Sequence, residues 1–193
     1  MHLSTKRYRR SDHRLVRRNF LKLGLITTGA LLNPLSALAA LDPRSKPVRK
    51  LAFYNTHTNE RLNVCYRRNG QYDIEALSKI NYILRDHRSG DIKAIDVQLL
   101  ELLHTIALKT NLQAPFHVIS GYRSLATNQS LRKKSSGVAS RSMHLMGKAI
   151  DIRVPGFSTR QLRNVARKMK AGGVGYYPKS EFVHVDIGRV RYW

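Results

Sequence analysis

Only one cysteine, Cys65, occurs in the 193 residues. A lone thiol has no partner within the chain, so no intramolecular disulfide braces the fold and no cysteine-based zinc knuckle can be built. Cys65 falls in the alternating apolar stretch Leu62, Val64, Tyr66, which marks it as a strand residue rather than a nucleophile. Aromatic residues make up 8% of the chain and do not interleave with a basic stripe, which sets aside the stacking surface that a nucleic-acid binder needs. Acidic residues are also scarce, 12 against 35 Lys and Arg, for a net charge of +23. A field of that sign attracts anionic partners, although the same charge also serves plain solubility. No internal repeat is visible, and the apolar run from Leu23 to Leu32 is too short to span a bilayer comfortably.

What precedes and follows that run makes it part of an export signal. Arg17-Arg18-Asn19-Phe20-Leu21-Lys22 is a twin-arginine pattern after a basic stretch, and Ala37-Leu38-Ala39 offers small residues to a signal peptidase. Residues 1–39 are expected to be a signal peptide with cleavage before Ala40; the alternative is an uncleaved N-terminal anchor. Contact with a membrane is then confined to the signal sequence. The remaining chain has 27 basic and 11 acidic side chains. Export by the twin-arginine route to the periplasm makes cell-wall polymer, not nucleic acid, the expected anionic partner. Residues 40–50, with Pro43, Pro47 and four basic residues, read as a linker, and residues 51–193 as one domain.

Within that domain, Leu51–Thr56 and Arg61–Arg67 form an expected hairpin around His57-Thr58-Asn59-Glu60, with His57 a surface residue of the turn. Ile74, Leu77, Ile80 and Leu84 recur at helical spacing behind Asp73 as N-cap, and Leu99, Leu100, Leu103, Ile106 and Ala107 do so over Asp96–Thr110. Both read as core-covering helices, with His104 a structural or surface residue of the second. Phe116–Ser120 reads as a buried strand, Ser124 as the cap of a helix to about Lys134, and Ser135–Arg141 as a loop. Gly147–Val154 alternates as a strand. A capping box at Ser158 and Gln161 starts a helix to Lys170 that Gly172-Gly173 is expected to end, and Val174–Tyr177 and Phe182–Ile187 supply the last strands. Helices first and hairpin-connected strands later argue for an α+β fold with a small central antiparallel sheet.

Chemistry concentrates in two segments, His144-Leu-Met-Gly-Lys-Ala-Ile-Asp151 and Glu181-Phe-Val-His184-Val-Asp186. Asp151 and His184 each interrupt an apolar strand, and burying either without a partner is costly. One metal ion between adjacent strands satisfies both, with His144 arriving from the preceding loop: two imidazoles and a carboxylate hold a single Zn²⁺ and leave a fourth position for water. Gly147 would let backbone pass close by, and Ala149 would leave room beneath. Period two puts His184 and Asp186 on one face, and Glu181 can curl toward the same pocket. Glu181 is the first choice for the general base. Asp186 either fills that role or holds His184 in its tautomer. Arg123, just past a strand end, is placed to stabilise an oxyanion or a substrate carboxylate, although in so basic a chain a surface charge is the plainer reading. Tyr122, Ser142, Tyr176 and Tyr177 are weaker candidates for the groove wall.

Ser142-x-His144-x-x-Gly147-x-Ala149-x-Asp151 with Glu181-x-x-His184 fixes seven positions. This pattern resembles the zinc D-Ala-D-Ala carboxypeptidases and dipeptidases of peptidoglycan metabolism. Ser120-Gly-Tyr-Arg-Ser124, Val174-Gly-Tyr-Tyr-Pro178 and Phe182-Val-His-Val-Asp-Ile-Gly-Arg-Val-Arg-Tyr-Trp193 are similar to the murein endopeptidases of the MepK (YcbK) type, from about Leu51 to Trp193. The resemblance implies a small α+β fold, zinc on His144, Asp151 and His184, and cleavage of amide bonds in cross-linked wall peptides, most naturally at meso-diaminopimelate. Two rivals accompany it: a D,D-carboxypeptidase trimming single stems, and a non-catalytic wall-binding module. A nucleic-acid binder is a distant third.

Overall fold

The side chains that begin the helices do so by capping. In the computed structural model, which describes residues 48–193 except 136, Asp73, Asp96, Ser124 and Ser158 each accept a hydrogen bond from a backbone N–H of the first turn they precede. The helices are α1 (Ile74–Ile83), α2 (Val97–Lys109), α3 (Leu125–Lys134) and α4 (Thr159–Met169), the last opened by the full reciprocal box of Ser158 and Gln161. The strands are β1 (Arg49–Asn55), β2 (Arg61–Arg68), β3 (Gln71–Tyr72), β4 (Phe116–Ser120), β5 (Ala149–Arg153), β6 (Gly173–Tyr177), β7 (Phe182–Asp186) and β8 (Arg191–Tyr192). They form one sheet in the order β3-β2-β1-β4-β5-β7-β6-β8. Pairing is antiparallel except at β1–β4 and β6–β8, which run parallel. This is the α+β arrangement expected, with those two pairs added.

Alternation along the central strands divides the molecule. Ile150, Ile152, Val174, Val183 and Val185 point to the side where α1 packs on β2, α2 on β1 and α4 on β6 and β7, and there they join Phe53, Phe116, Leu99, Leu103, Ile106 and Leu162 in one core. The intervening residues Asp151, His184 and Asp186 therefore face the opposite side of the sheet. Their polarity is set against the apolar layer by the pleat alone.

Several boundaries differ from expectation. Strand β1 starts at Arg49, inside the expected linker, because the Arg49 guanidinium pairs with Glu101 of α2 and draws the chain into the sheet. Ile74 is exposed rather than part of the core face, since it occupies the first turn, ahead of the turns that lie on β2. Helix α4 is closed by Lys170 in the left-handed region at φ 50°, not by the following glycine pair. Gly172 serves packing instead, since a β-carbon there would overlap the carbonyl of Asp186. The segment before β5 is a 3₁₀ turn, Met143–Met146, ended by Gly147. The expected signal peptide and most of the linker lie outside the described residues. Among the described residues no helix is long and apolar enough to cross a membrane.

Gly147 sits at φ 65°, and a β-carbon would run into the carbonyl oxygen of Ala94. Both the backbone angle and the contact exclude a side chain. Gly147→Ala is therefore expected to destabilise the domain by about 1–3 kcal/mol, read as a lower urea midpoint at unchanged slope. A midpoint equal to the parent's would show that the turn relaxes freely.

Candidate metal centre

Register brings the polar residues together. Asp151 of β5 lies directly opposite His184 of β7 in the antiparallel ladder, and the 3₁₀ turn, capped by the Ser142 hydroxyl, delivers His144 beside them. All three are buried. His144 Nε2 is 3.1 Å from His184 Nδ1 and 3.3 Å from Asp151 Oδ1, and His184 Nδ1 is 2.9 Å from the same oxygen. A tetrahedral zinc ion with bonds of about 2.0–2.1 Å has ligand-to-ligand edges of about 3.3 Å. The three atoms are spaced as one face of such a tetrahedron.

The outer nitrogens decide which lone pairs face inward. His144 Nδ1 lies 2.7 Å from the Gly121 carbonyl oxygen, and His184 Nε2 lies 2.9 Å from Asp186 Oδ2. Each of those acceptors requires an N–H, so in the neutral rings the unprotonated nitrogens are His144 Nε2 and His184 Nδ1, both aimed at a carboxylate. Three acceptors converging without a donor need a cation among them. A proton on His184 Nδ1 can meet the same demand as a metal ion: burial alone would lower the pKa of this ring, yet hydrogen bonds and charge from Asp151 and Asp186 outweigh burial and push it up to about 9. Asp151 is likewise held well below the usual carboxylate range; burial opposes this, and the two imidazoles override it. Among the described residues this is the cluster of three ligating side chains close enough to share one ion.

Behind His184 stands a fully buried support. Asp186 is reached by both terminal nitrogens of Arg191, at 3.1 and 2.6 Å, and by the N–H groups of Gly173 and Gly188 at 3.0 and 2.8 Å. Burial would raise its carboxyl, and these donors together with His184 keep it well below the ordinary range. Two glycines make the space: a β-carbon on Gly173 would strike Arg191 and Asp186, and one on Gly175 would strike the Trp193 indole. That indole donates to the Tyr177 hydroxyl at 2.8 Å, lies beneath the Arg191 guanidinium, and has its ring centre 5.3 Å from that of His184.

The cluster opens into a groove of about 390 Å³ walled by Arg123, Arg141, Ser142, Tyr177, Arg191 and Trp193 among others. Arg123 is mostly buried, with one terminal nitrogen 3.7 Å from Asp151 Oδ2 and the other bound to Asn128; its Nε is buried without a partner. Its loop is held by Asp86, a buried carboxylate that accepts from the backbone N–H groups of Ser124 and Arg88. Burial would raise Asp86, but these bonds and the Thr127 hydroxyl outweigh it and depress its pKa.

Of the residues singled out from sequence, the structure brings together His144, Asp151, His184, Asp186 and Arg123, with Ser142 and Tyr177 on the wall. It does not bring in Glu181. That residue is exposed, takes φ 53° in the β6–β7 turn, has its carbonyl bound by Arg153 Nε at 2.7 Å, and does not line the groove. The expectation that it curls into the pocket fails because the left-handed backbone step closes the turn there. Tyr176 points to the α4 side under Arg163, and Tyr122 stands near Lys93. Cys65 is a half-buried residue of β2, His57 is exposed and stacked on His87, and His104 faces the Lys50 carbonyl from α2. Arg191, Trp193 and Asp86 were not singled out. The first two lie in a segment too short for a periodic signal, and Asp86 follows α1 where sequence shows only a polar residue.

The family model described as Peptidoglycan L,D-endopeptidase MepK matches residues 43–193. The Peptidoglycan L,D-endopeptidase MepK of Escherichia coli strain K12 is 41% identical over 178 residues, which cover 92% of this chain and 96% of that protein. The Probable peptidoglycan L,D-endopeptidase MepK of Haemophilus influenzae is 39% identical over the same length, covering 95% of that protein. A solved structure, Serratia marcescens L-Ala D-Glu endopeptidase ChiX, is 23% identical over 48% of this chain and 70% of its own, with a TM-score of 0.31, too low to carry structural information.

Proposed function

The chain belongs to the family described as Peptidoglycan L,D-endopeptidase MepK, and from that premise we propose that it is an exported zinc hydrolase of peptidoglycan cross-links, cutting amide bonds that involve meso-diaminopimelate. Support comes above all from the three inward-facing donor atoms at tetrahedral spacing on the floor of an open groove. Zinc suits two imidazole nitrogens and one carboxylate oxygen, the set that His144, His184 and Asp151 would offer it. The names of the relatives give the L,D class of bond, and meso-diaminopimelate follows from the sequence resemblance. Export by the twin-arginine route to the periplasm rests on the Arg17-Arg18 pattern and on where wall polymer lies.

A divalent ion held by His144, Asp151 and His184 would supply Lewis acidity, for activating water near neutral pH and for polarising an amide carbonyl. The chain's own residues do the rest. Gly121 and Asp186 fix the tautomers of His144 and His184, so that both rings present lone pairs without reorganisation. Arg123 places a positive charge beside Asp151, where it can meet negative charge developing on the substrate carbonyl or a substrate carboxylate. Tyr177 and Trp193 wall the groove, their side chains tied together by the hydrogen bond from the indole N–H to the Tyr177 hydroxyl. Asp186 is the carboxylate on which hydrolysis depends, through His184, in preference to Glu181.

Digestion of defined muropeptides, followed by mass spectrometry, tests the reading. Cross-linked dimers should fall to monomers, and a chelator should stop the reaction. Pentapeptides shortening to tetrapeptides with dimers untouched would make the protein a D,D-carboxypeptidase. Sacculus binding indifferent to chelator, with no hydrolysis under any metal, would make it a wall-binding module.

A further inference from the structure

Charge is distributed unevenly over the C-terminal part of the chain. Residues 152–193 hold nine Lys and Arg but only two acidic residues, Glu181 and Asp186, and Asp186 is consumed inside the protein by Arg191 and His184. On α4, Arg163 and Arg167 stand one turn apart and lean toward β6 and β8. Their guanidinium carbons lie 4.7 Å from the centre of the Tyr176 ring and 4.6 Å from that of Tyr192. Neither makes an ion pair among the described residues. Aromatic rings hold these cations in place, and Arg163 is further fixed by Nε and Nη2 donating to Asn164 Oδ1 at 3.2 and 3.0 Å, which leaves its Nη1 and the Arg167 guanidinium edge for an anion, so little side-chain entropy remains to be lost on meeting one.

Around the two arginines is a depression of about 270 Å³ bordered by Val174, Tyr176, Tyr192 and Trp193. Trp193 also walls the metal-site groove. The groove face and this depression thus meet at one side chain on the edge of the sheet, where among the described residues no strand lies beyond β8. A ligand fitting the depression carries a carboxylate for the guanidinium edges and a sugar-like or apolar body for the rings and Val174.

We propose that this depression is a second contact site for the substrate polymer, taking a carboxylate of the same peptidoglycan strand whose cross-link occupies the groove. The proposal rests on the hydrolase reading above. It gives the enzyme a hold on the insoluble wall that a small soluble fragment cannot use.

The test compares two variants of the exported protein with the same loss of charge: Arg163→Gln with Arg167→Gln, and Arg68→Gln with Lys109→Gln. Arg68 and Lys109 are exposed and lie on β2 and α2, with β2 at the far end of the sheet from β8. At low ionic strength, binding to purified sacculi should weaken about three- to tenfold for the first pair and little for the second, and the difference should shrink as salt is added. The loss should appear on sacculi and not in cleavage of a soluble dimer too short to reach past Trp193. Amidating the carboxylates of the sacculi should lower the parent's affinity by a similar factor. Equal weakening by both pairs, parent-like binding by the first, or undiminished affinity of the parent for amidated sacculi would each overturn the site. Failure of the hydrolase reading would register separately, as a parent that leaves the soluble dimer uncut.

Discussion

Replacing His144 with alanine is expected to abolish metal binding and wall hydrolysis together. The physical reason is the arrangement of acceptors: His144 Nε2, His184 Nδ1 and Asp151 Oδ1 stand 2.9–3.3 Å apart in a buried pocket. With one ring gone, two ligands remain, and an ion in the groove must complete its shell with water. Loss of activity should exceed the roughly 10–100-fold typical of removing an outer-shell partner. Metal content of the purified variant and digestion of sacculi measure the two effects. Folding is checked independently, because the buried ring contributes packing as well, about 2–3 kcal/mol for removal of a side chain of this size; chelator-treated parent and variant are therefore compared by urea denaturation. A folded variant that cleaves sacculi as fast as the parent would end the assignment, whatever its metal content.

How much of this site could be read before any coordinates follows from the range over which each cue acts. The helix caps at Asp73, Asp96, Ser124 and Ser158 were legible because a cap is a contact within four residues. Asp151 and His184 were legible because a polar residue inside an apolar strand demands a partner, and only their register, Asp151 opposite His184, had to come from the fold. The tautomer assignments were half visible: period two links His184 to Asp186, whereas Gly121 reaches His144 across 23 residues with nothing but a carbonyl. Strands β3 and β8, two residues each, are too short for alternation to show. Arg191 and Trp193, which support His184 and wall the groove, are therefore marked in the sequence by the family-like C-terminal segment and by no local pattern. The parallel pairing of β1 with β4 joins segments some sixty residues apart, and no local pattern encodes it. Glu181 shows the opposite case. Its spacing to His184 fits a proton shuttle, but the turn sets it at φ 53° and leaves its side chain exposed.

The second large effect is expected from Asp186→Asn, and it separates the two carboxylates. Asp186 is fully buried and takes hydrogen bonds from His184, both terminal nitrogens of Arg191 and two backbone N–H groups. Asparagine keeps the shape but turns one acceptor into a donor. If its NH₂ takes the Oδ1 side, it opposes Arg191 Nη1 and the N–H groups of Gly173 and Gly188; if it takes the Oδ2 side, it opposes Arg191 Nη2 and the imidazole must carry its proton on Nδ1, the nitrogen needed by the metal. Either outcome costs about 1–3 kcal/mol of stability, and the second removes a ligand lone pair. Metal affinity should fall roughly 10–100-fold, and excess metal should restore part of the activity. Glu181→Gln should retain activity within about twofold, since an exposed surface side chain in a turn seldom contributes more than a few tenths of a kcal/mol. Asp186→Asn with the parent's metal affinity and rate would contradict the positioning role. A Glu181→Gln variant that keeps its metal and its fold while losing hydrolysis would instead return the proton-carrying step to Glu181, with its side chain swinging over Phe182 into the groove when substrate binds.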